Sequence, residues 1–482
     1  MVSGSSSDLQ GSLAVGRRKA DGRPLSALDK IYFTYRLAFI GGILVYRDKH
    51  FLSEKKMTAA FQQAVRMSPL MQTRVMGGGS SLDQQVMFEK VDEKDWPSLV
   101  IESEKHTTNE SAVARGRDLL ESLIAAYRRG ENDIHRGPLS MVVVKGHNTI
   151  VVTTVVSHYF LDGTAIGEFL KKWAAYVFLS RSFWPLVDRA STQDVPTVEE
   201  MVMKNKLHQF SGKPMDNPGI TFGDEYFRFL DYSPQSIRPD EASRLKGLAA
   251  EVVSDVTAVE VKKSLIALRA CGITMSSAFT ALAIKLLATI VAEHEQATSS
   301  ASADTLKLVA CLPIDARKCG EWGDARDKRS RKFAQVGNYT LACWPTFSFK
   351  EVLEKTIEEL AVHIRKITEK TLSDPRERWQ NLTGNVSMVT RLPYVCGVSS
   401  VRIPEVFQRF GLAPLHVSGA GRPETSPRSW LSIVTTGNRT TVTADVMLPI
   451  EGLSPEYVRQ KLKEIVTSDG KSSAIGPMFP HL

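Results

Sequence analysis

The spacing of apolar residues along the chain changes repeatedly between the two-residue period of β-strands and the 3.6-residue period of amphipathic helices. Strands are predicted at residues 41–46, 139–145, 149–156, 306–313, 338–344, 430–436 and 440–447. Helices are predicted at residues 54–67, 115–129, 164–179, 274–294, 349–370 and 454–466. This alternation predicts an α/β protein with mixed sheets in two halves.

Periodicity is lost at the N-terminus and near the middle of the chain. The N-terminal segment is rich in serine and arginine and lacks an apolar core, which favours a disordered tail over a transit peptide. In the middle, Pro196, Pro214 and Pro218 mark a segment without periodicity, which indicates a linker. The expected division is a tail at residues 1–23, an N-terminal domain at 24–193, a crossover linker at 194–224 and a C-terminal domain at 225–482.

Composition and charge narrow the class of protein. The 43% hydrophobic and 24% charged residues are typical of a soluble globular protein. The net charge of +8 is spread along the sequence and the basic cluster at residues 326–332 is short, so nucleic-acid binding is not expected. The five cysteines form no CxxC pair, which favours a reducing, cytoplasmic compartment. The apolar run at residues 273–292 contains Lys285, which favours a buried core helix over a membrane span.

A short stretch at the end of a predicted buried strand carries candidate chemistry. In VVSHYFLDGTAIGEF, residues 155–169, an apolar run ends in His158, Asp162 and Gly163. A histidine accepts protons usefully near neutral pH because its unperturbed pKa is about 6.5. Asp162 would either orient the imidazole or brace the loop, and Gly163 permits a close backbone approach.

Other kinds of site have less support from the residues. A metal site would need more ligands, and His147 belongs to the opposite end of the predicted hairpin from His158. A nucleophilic Ser157 is disfavoured because adjacent residues on an extended strand point to opposite faces. A histidine at a strand end is also common as a structural group. Catalysis and packing therefore both remain open on the residues alone.

Several segments, taken in order, resemble the motifs of one acyltransferase family. The HxxxDG segment at His158 is similar to the signature of the CoA-dependent acyltransferases that share the chloramphenicol acetyltransferase fold, and specifically of the BAHD family. Further similar segments are PLSALD at residues 24–29, IDAR at 314–317, VGNY at 336–339, VSS at 398–400 and FGLAP at 410–414. The resemblance spans about residues 24–468 and implies two mixed-sheet α/β sandwich domains with a tunnel between them.

The resemblance also implies a reaction. An acyl group would pass from acyl-CoA, used as a co-substrate, to a hydroxyl or amine of a small molecule, with His158 as general base and no covalent acyl-enzyme. Ser399, with Ser400 as the second candidate, would stabilise the oxyanion. Asp162 would be structural and would pair with Arg317.

Further residues would complete the substrate site by the same resemblance. The segment at Gly337 and Asn338 would shape a turn beside the tunnel. The basic cluster at residues 326–332, with Arg422 or Arg428, would meet the 3′-phosphate of CoA. The resemblance implies a monomer without a permanently bound cofactor, and neither a nucleic-acid partner nor a membrane span is expected.

The chain departs from the family pattern in the region after the two serines. Arg409, Leu412 and Ala413 stand where the family's DFGWG motif has Asp, Trp and Gly, and Val401 replaces a tryptophan. The chain therefore resembles a divergent member. Wax ester synthases and peptide-synthetase condensation domains carry a first histidine where Ser157 stands, and acyl transfer of either kind is an alternative. A catalytically silent binding module that keeps the fold is another.

Overall fold

A computed structural model describes most of the chain. The described residues are 22–25, 29, 39–47, 52–77, 86–129, 137–189, 249–298, 307–318, 336–337, 339–343, 345–374, 395–402, 414–420, 428–436, 439–448, 450, 452–468 and 475–476. The linker expected at residues 194–224 lies outside them, and so do residues 1–21 of the expected tail. The domain boundaries therefore stay a prediction.

Strands and helices alternate along the described chain. The strands are β1 (Arg23–Pro24), β2 (Phe39–Arg47), β3 (Thr73–Gly77), β4 (Val86–Lys90), β5 (Leu99–Lys105), β6 (Leu139–Lys145), β7 (Thr149–Ser157), β8 (Ala249–Thr257), β9 (Lys307–Asp315), β10 (Thr340–Cys343), β11 (Thr346–Ser348), β12 (Val395–Arg402), β13 (Pro414–Ala420), β14 (Arg428–Thr436) and β15 (Arg439–Met447). The helices are α1 (Glu54–Arg66), α2 (Asn109–Arg129), α3 (Gly163–Phe178), α4 (Trp184–Arg189), α5 (Ala258–Ala270), α6 (Met275–Thr298), α7 (Phe349–Glu354), α8 (Ile357–Ser373) and α9 (Pro455–Ser468).

The first large sheet has the strand order β13-β2-β7-β6-β5. Every residue of the central strand β7 is buried, because helices cover the sheet on both faces. Val152 and Val156 of β7 pack into the core that contains α1 and α3. Val151 and Val155 point the other way, toward α2. Burial on both faces explains why this strand contains no charged residue.

Helix α3 carries a buried lysine on the core side. The Nζ of Lys172 donates to the carbonyl of Met67 at 2.8 Å and to the Ser68 hydroxyl at 3.1 Å. Burial lowers the pKa of Lys172 to about 8, although the carboxylates of Glu168 and Asp188 oppose that shift. The lysine fixes the turn that follows α1 against α3.

The edge strand of the first sheet comes from a distant part of the sequence. Strand β13 pairs antiparallel with β2, with Val417 opposite Leu44 and Gly419 opposite Gly42. The chain therefore returns to the first sheet after it has begun the second one.

The second large sheet has the order β10-β9-β12-β14-β15-β8, and β11 also pairs with β9. Strand β12 runs parallel to both β9 and β14. Helix α6 packs on this sheet and is buried on most sides, which explains its apolar sequence. Its single internal lysine, Lys285, donates to the carbonyl of Lys355, the C-cap residue of α7. A polar partner thus accommodates a charge inside an apolar helix.

The structure corrects the bounds of several predicted elements. The helix expected at 115–129 begins at Asn109, six residues earlier, and the helix expected at 274–294 continues to Thr298. The helix expected at 349–370 is two helices, α7 and α8, because Thr356 begins a new helix with a capping box: its hydroxyl accepts from the Glu359 amide, and the Glu359 carboxylate accepts from the Thr356 amide. The strand expected at 338–344 is shorter, at Thr340–Cys343, and β11 follows it. Elements that the apolar pattern did not predict are β1, β3, β4, β5, β8, β12, β13, α4 and α5.

Candidate active site

His158 lies in the turn that follows β7 and leads to α3. The amides of Phe160 and Leu161 donate to the carbonyl of Ser157 at 2.9 and 3.3 Å and close this turn. The Ser157 hydroxyl is buried and donates to the Gly137 carbonyl at 3.1 Å. A serine held in this way is not poised to attack a substrate. His158, by contrast, is partly exposed, although its Nδ1 atom is buried.

The protein around the imidazole lowers the pKa of His158. Burial penalises the protonated ring, and this effect outweighs a hydrogen bond with the backbone of His158 and the charge of Asp162, both of which raise the pKa. The neutral ring therefore predominates at neutral pH. A neutral imidazole can remove a proton from a bound hydroxyl or amine.

Asp162 connects three parts of the chain through its carboxylate. It is the N-cap of α3, where Oδ1 accepts from the Ala165 amide at 2.8 Å. Oδ2 accepts from the Tyr339 amide at 2.7 Å and from Nη1 of Arg317 at 3.0 Å. The amide of Asp162 donates to the Gly337 carbonyl at 3.4 Å. The residue is 4% exposed, so these bonds are largely shielded from water.

Arg317 completes a buried ionic network at the end of β9. Its Nη1 also lies 2.9 Å from Oδ1 of Asp315, and its Nη2 donates to the Gly337 carbonyl at 3.0 Å. Burial opposes the charge of Arg317, but the carboxylates of Asp162 and Asp315 outweigh burial and raise its pKa. The guanidinium therefore stays charged and joins the loop after β7 to a strand of the second sheet, 155 residues further along the chain.

The turn before β10 fits closely around the same network. The guanidinium carbon of Arg317 lies 4.7 Å from the centroid of the Tyr339 ring. A Cβ on Gly337 would lie 2.7 Å from Cε2 of Tyr339 and 3.0 Å from Cδ1 of Leu70, so a side chain at 337 would have to displace one of them. Burial also raises the pKa of the Tyr339 hydroxyl, which keeps the phenol neutral.

Sequence reasoning did not assign a role to three residues of this network, Asp315, Tyr339 and Thr164. Asp315 holds the backbone and the guanidinium of Arg317, and its Oδ2 accepts from the Thr164 hydroxyl at 3.4 Å. Tyr339 supplies an amide and an aromatic face. A signal for two of them was present, because Asp315 stands inside the IDAR segment and Tyr339 ends the VGNY segment.

The structure places the two candidate serines on opposite faces of β12. Ser399 is the cross-strand neighbour of Ser432, and Ser400 is the neighbour of Ile433. Ile433 belongs to the apolar core around α6, so Ser400 is on the core-facing side and Ser399 is on the other. Ser399 is partly exposed.

Helix α3 approaches β12 from the side of Ser399. The helix packs against this strand. The apolar face of β12, with Cys396 and Val398, belongs to the core around α6, which contains no residue of α3. The helix that follows His158 and the strand face that carries Ser399 therefore face one another.

The remaining predicted site residues have different outcomes. Gly163 is the first residue of α3, directly after its N-cap. Asn338, the cluster at residues 326–332, Arg422 and the DFGWG-like residues 410–413 lie outside the described residues. Arg428 begins β14, but its side chain is outside the described set. Within the described part of the chain, no three His, Cys, Asp or Glu side chains group closely enough to hold a metal ion.

Comparisons with known proteins identify the fold. No family model matches this sequence, and neither does any curated protein. Solved structures do match: the chain is similar to the TRI3 trichothecene 15-O-acetyltransferase from Fusarium sporotrichioides, with 12% identity and a TM-score of 0.58 over 93% of this chain and 95% of that one. It is also similar to F. graminearum TRI101 complexed with coenzyme A and T-2 mycotoxin, with 11% identity and a TM-score of 0.55 over 94% and 98% of the two chains.

A bacterial structure gives the same result. Polyketide synthase associated protein 5 from Mycobacterium tuberculosis matches with 12% identity and a TM-score of 0.54, over 93% of this chain and 99% of that one. At such low identity the likeness shows the fold. The predicted α/β fold with mixed sheets is thereby confirmed as the fold that these structures share.

Proposed function

We propose that this protein is a CoA-dependent acyltransferase that moves an acyl group from acyl-CoA to a hydroxyl or amine of a small molecule. The observation that carries the proposal is a half-buried imidazole of lowered pKa, His158, on a loop that the Asp162–Arg317 pair holds in place. The fold supports it as well, since similar structures include an acetyltransferase and a complex with coenzyme A.

The proposed chemistry proceeds without a covalent enzyme intermediate. His158 removes the proton of the acceptor while the acceptor's oxygen or nitrogen attacks the thioester carbonyl. The tetrahedral intermediate then collapses, the carbon–sulfur bond breaks, and the imidazolium returns its proton to the CoA thiolate. General-base assistance of this kind contributes about 10²–10⁴ in rate, so binding and orientation supply the rest.

The oxyanion of the intermediate needs a hydrogen-bond donor at about 2.7–3.1 Å. Ser399 is the proposed donor, because it is partly exposed and lies on the face of β12 that α3 approaches. Ser400 is exposed but is the weaker candidate, because it lies on the other face of β12 from the one that α3 approaches.

The roles proposed for Asp162 and Arg317 are structural. Their shared network joins the loop after β7 to the end of β9 and to Gly337, which orients the segment that carries His158. We further propose a cytoplasmic monomer, as a reducing compartment fits the free thiols of the described cysteines, Cys271, Cys311, Cys343 and Cys396.

The test is release of free CoA from a panel of acyl-CoA donors, with alcohols and amines as acceptors and a thiol reagent as the readout. His158→Ala should lower acceptor-dependent CoA release by about 10²–10⁴. His147→Ala is the matched control, because His147 is exposed in the turn between β6 and β7, at the opposite end of β7. Substantial transfer by His158→Ala would remove the general base from the proposal.

Two outcomes would favour the alternatives. Binding of acyl-CoA with no release of CoA from any donor and acceptor pair would indicate a catalytically silent module. Transfer only from pantetheine-linked carrier proteins would indicate chemistry of the condensation-domain type. Gel filtration with light scattering measures the oligomeric state separately.

A further inference from the structure

Two rows of side chains cross the second sheet on the face opposite its apolar core. In the first row, Gly397 of β12 and Trp430 of β14 are cross-strand neighbours. In the second, Ser399, Ser432 and Thr443 are neighbours across β12, β14 and β15. Residues two apart on a strand share a face, so the two rows lie on the same face, one pleat apart.

The indole of Trp430 lies directly over Gly397. A Cβ at position 397 would be 2.7 Å from Cη2 and 2.9 Å from Cε3 of Trp430, and it would also collide with Cζ3. The benzene part of the indole therefore occupies the space that a side chain would need. Trp430 is nevertheless partly exposed.

The hydroxyl row becomes more exposed from one end to the other. Thr443 is 5% exposed, whereas Ser432 and Ser399 are both partly exposed. Hydroxyl groups both donate and accept hydrogen bonds. Asp445, the neighbour of Trp430 on β15, adds a carboxylate next to the indole. This face thus combines an aromatic surface with several groups that bind oxygen substituents.

The rows lie beside the candidate active site. Helix α3, which begins just after His158, packs against β12. Ser399 is the proposed oxyanion donor, and Ser432 is its direct neighbour on the next strand, about 5 Å away. Trp430 is two residues from Ser432 along β14, which is about 7 Å. Trp430, Ser432 and Ser399 are therefore close enough together for one small molecule to contact all three.

We propose that Trp430 and Ser432 bind the acyl acceptor, and that this acceptor is a hydroxylated compound with a rigid, flat ring system. A flat apolar ring stacks on an exposed indole, while the hydroxyl row and Asp445 bind the oxygen substituents of that ring. A linear aliphatic alcohol could neither stack on the indole nor place several oxygen substituents along the hydroxyl row. The proposal rests on the proposed acyltransferase function and deepens it, since it names the class of acceptor.

The experiment measures binding of anthracenemethanol, a planar tricyclic alcohol, through the change in the probe's own fluorescence, with decanol as a linear competitor. Trp430→Ala should weaken binding of anthracenemethanol about tenfold, Trp430→Phe less, and Ser432→Ala about threefold. The matched controls are Trp184→Phe on α4 and Ser122→Ala, an exposed serine on α2. Affinity for coenzyme A, measured by calorimetry on the same variants, detects a general loss of structure.

The expected result is that the Trp430 and Ser432 variants selectively lose affinity for anthracenemethanol. Decanol should compete poorly for binding to the wild type. Equal affinity of Trp430→Ala and wild type, or decanol binding as tightly as anthracenemethanol, overturns the proposal. Parallel loss of coenzyme A and of the probe in both Trp430 variants also overturns it. Measuring probe binding to His158→Ala as well separates the two proposals. If the probe binds in a way that depends on Trp430, but the wild type transfers an acyl group to no acceptor, then the proposed reaction is wrong and the proposed binding site still stands.

Discussion

The substitution Asp162→Ala deletes a carboxylate that three donors share. Loss of the N-cap of α3 costs about 1 kcal/mol. The buried amide of Tyr339 loses its acceptor, which costs about 1–3 kcal/mol. Breaking a buried ion pair from one side costs about 3–5 kcal/mol. Because Arg317 keeps its ion pair with Asp315 at 2.9 Å, the cost here should lie at the low end of this range.

These contributions share atoms and are not additive. We therefore expect Asp162→Ala to lower the free energy of unfolding by about 3–5 kcal/mol. Urea denaturation followed by circular dichroism measures this value. His158→Ala should stay within about 1 kcal/mol of the wild type, because His158 is only half-buried. Asp162 would thus affect stability and activity together, whereas His158 would affect activity alone.

Asp162→Asn is the matched variant, since asparagine is also a good N-cap. The side-chain NH₂ of asparagine would face either Arg317 and the backbone amide of Tyr339 or the backbone amide of Ala165. In either orientation, hydrogen-bond donors would face each other without an acceptor. An intermediate loss of stability is expected. A double-mutant cycle with Arg317→Met should give a coupling energy of about 1 kcal/mol or more. A loss below about 1 kcal/mol for Asp162→Ala, or strictly additive double-mutant effects, would refute the reasoning.

Three further predictions concern pH and packing. Because burial lowers the pKa of His158, the acid limb of kcat/KM against pH should lie below pH 6.5, and a limb clearly above 6.5 would contradict the general-base role. Lys172 has a pKa of about 8 when folded and 10.5 when unfolded, so the unfolded chain binds more protons between these values. Stability of the wild type relative to Lys172→Met should then rise by about 3 kcal/mol from pH 8 to pH 10.5, and a flat difference would refute it. Gly337→Ala should cost about 1–3 kcal/mol in urea because its methyl group would press on Tyr339, and a neutral effect would mean that the turn yields easily.

Elements with a strong period were predictable from sequence. The amphipathic pattern of residues 54–67 and 164–179 predicted α1 and α3 to within a residue or two at each end. Strand β7 was predictable because it is buried on both faces, and every residue in it except Ser157 is β-branched. Strand β12 has no such signal, since VCGVSSVR mixes glycine and serine among its apolar residues. Its parallel neighbours, β9 and β14, supply the context that the local sequence lacks.

The candidate site divides in a similar way. His158 and Asp162 stood out as residues, because polar groups are rare at the end of an apolar run. The pairing of Asp162 with Arg317 spans 155 positions and came only from the resemblance to a family, since no local pattern encodes such a distance. The contribution of Tyr339 was missed because its backbone amide, rather than its side chain, meets the carboxylate. A hydrogen bond donated by a backbone amide cannot be predicted from the type of the residue, because nearly every residue has such an amide.

The return of β13 to the first sheet has a consequence during synthesis. Strand β2 receives its outer neighbour from residues 414–420, about 370 positions later in the chain. Until the ribosome has delivered those residues, the edge of β2 is open to pairing with other nascent chains. Truncated products that end before β13 should aggregate rather than persist as a free N-terminal half, and chaperone demand should be highest late in translation.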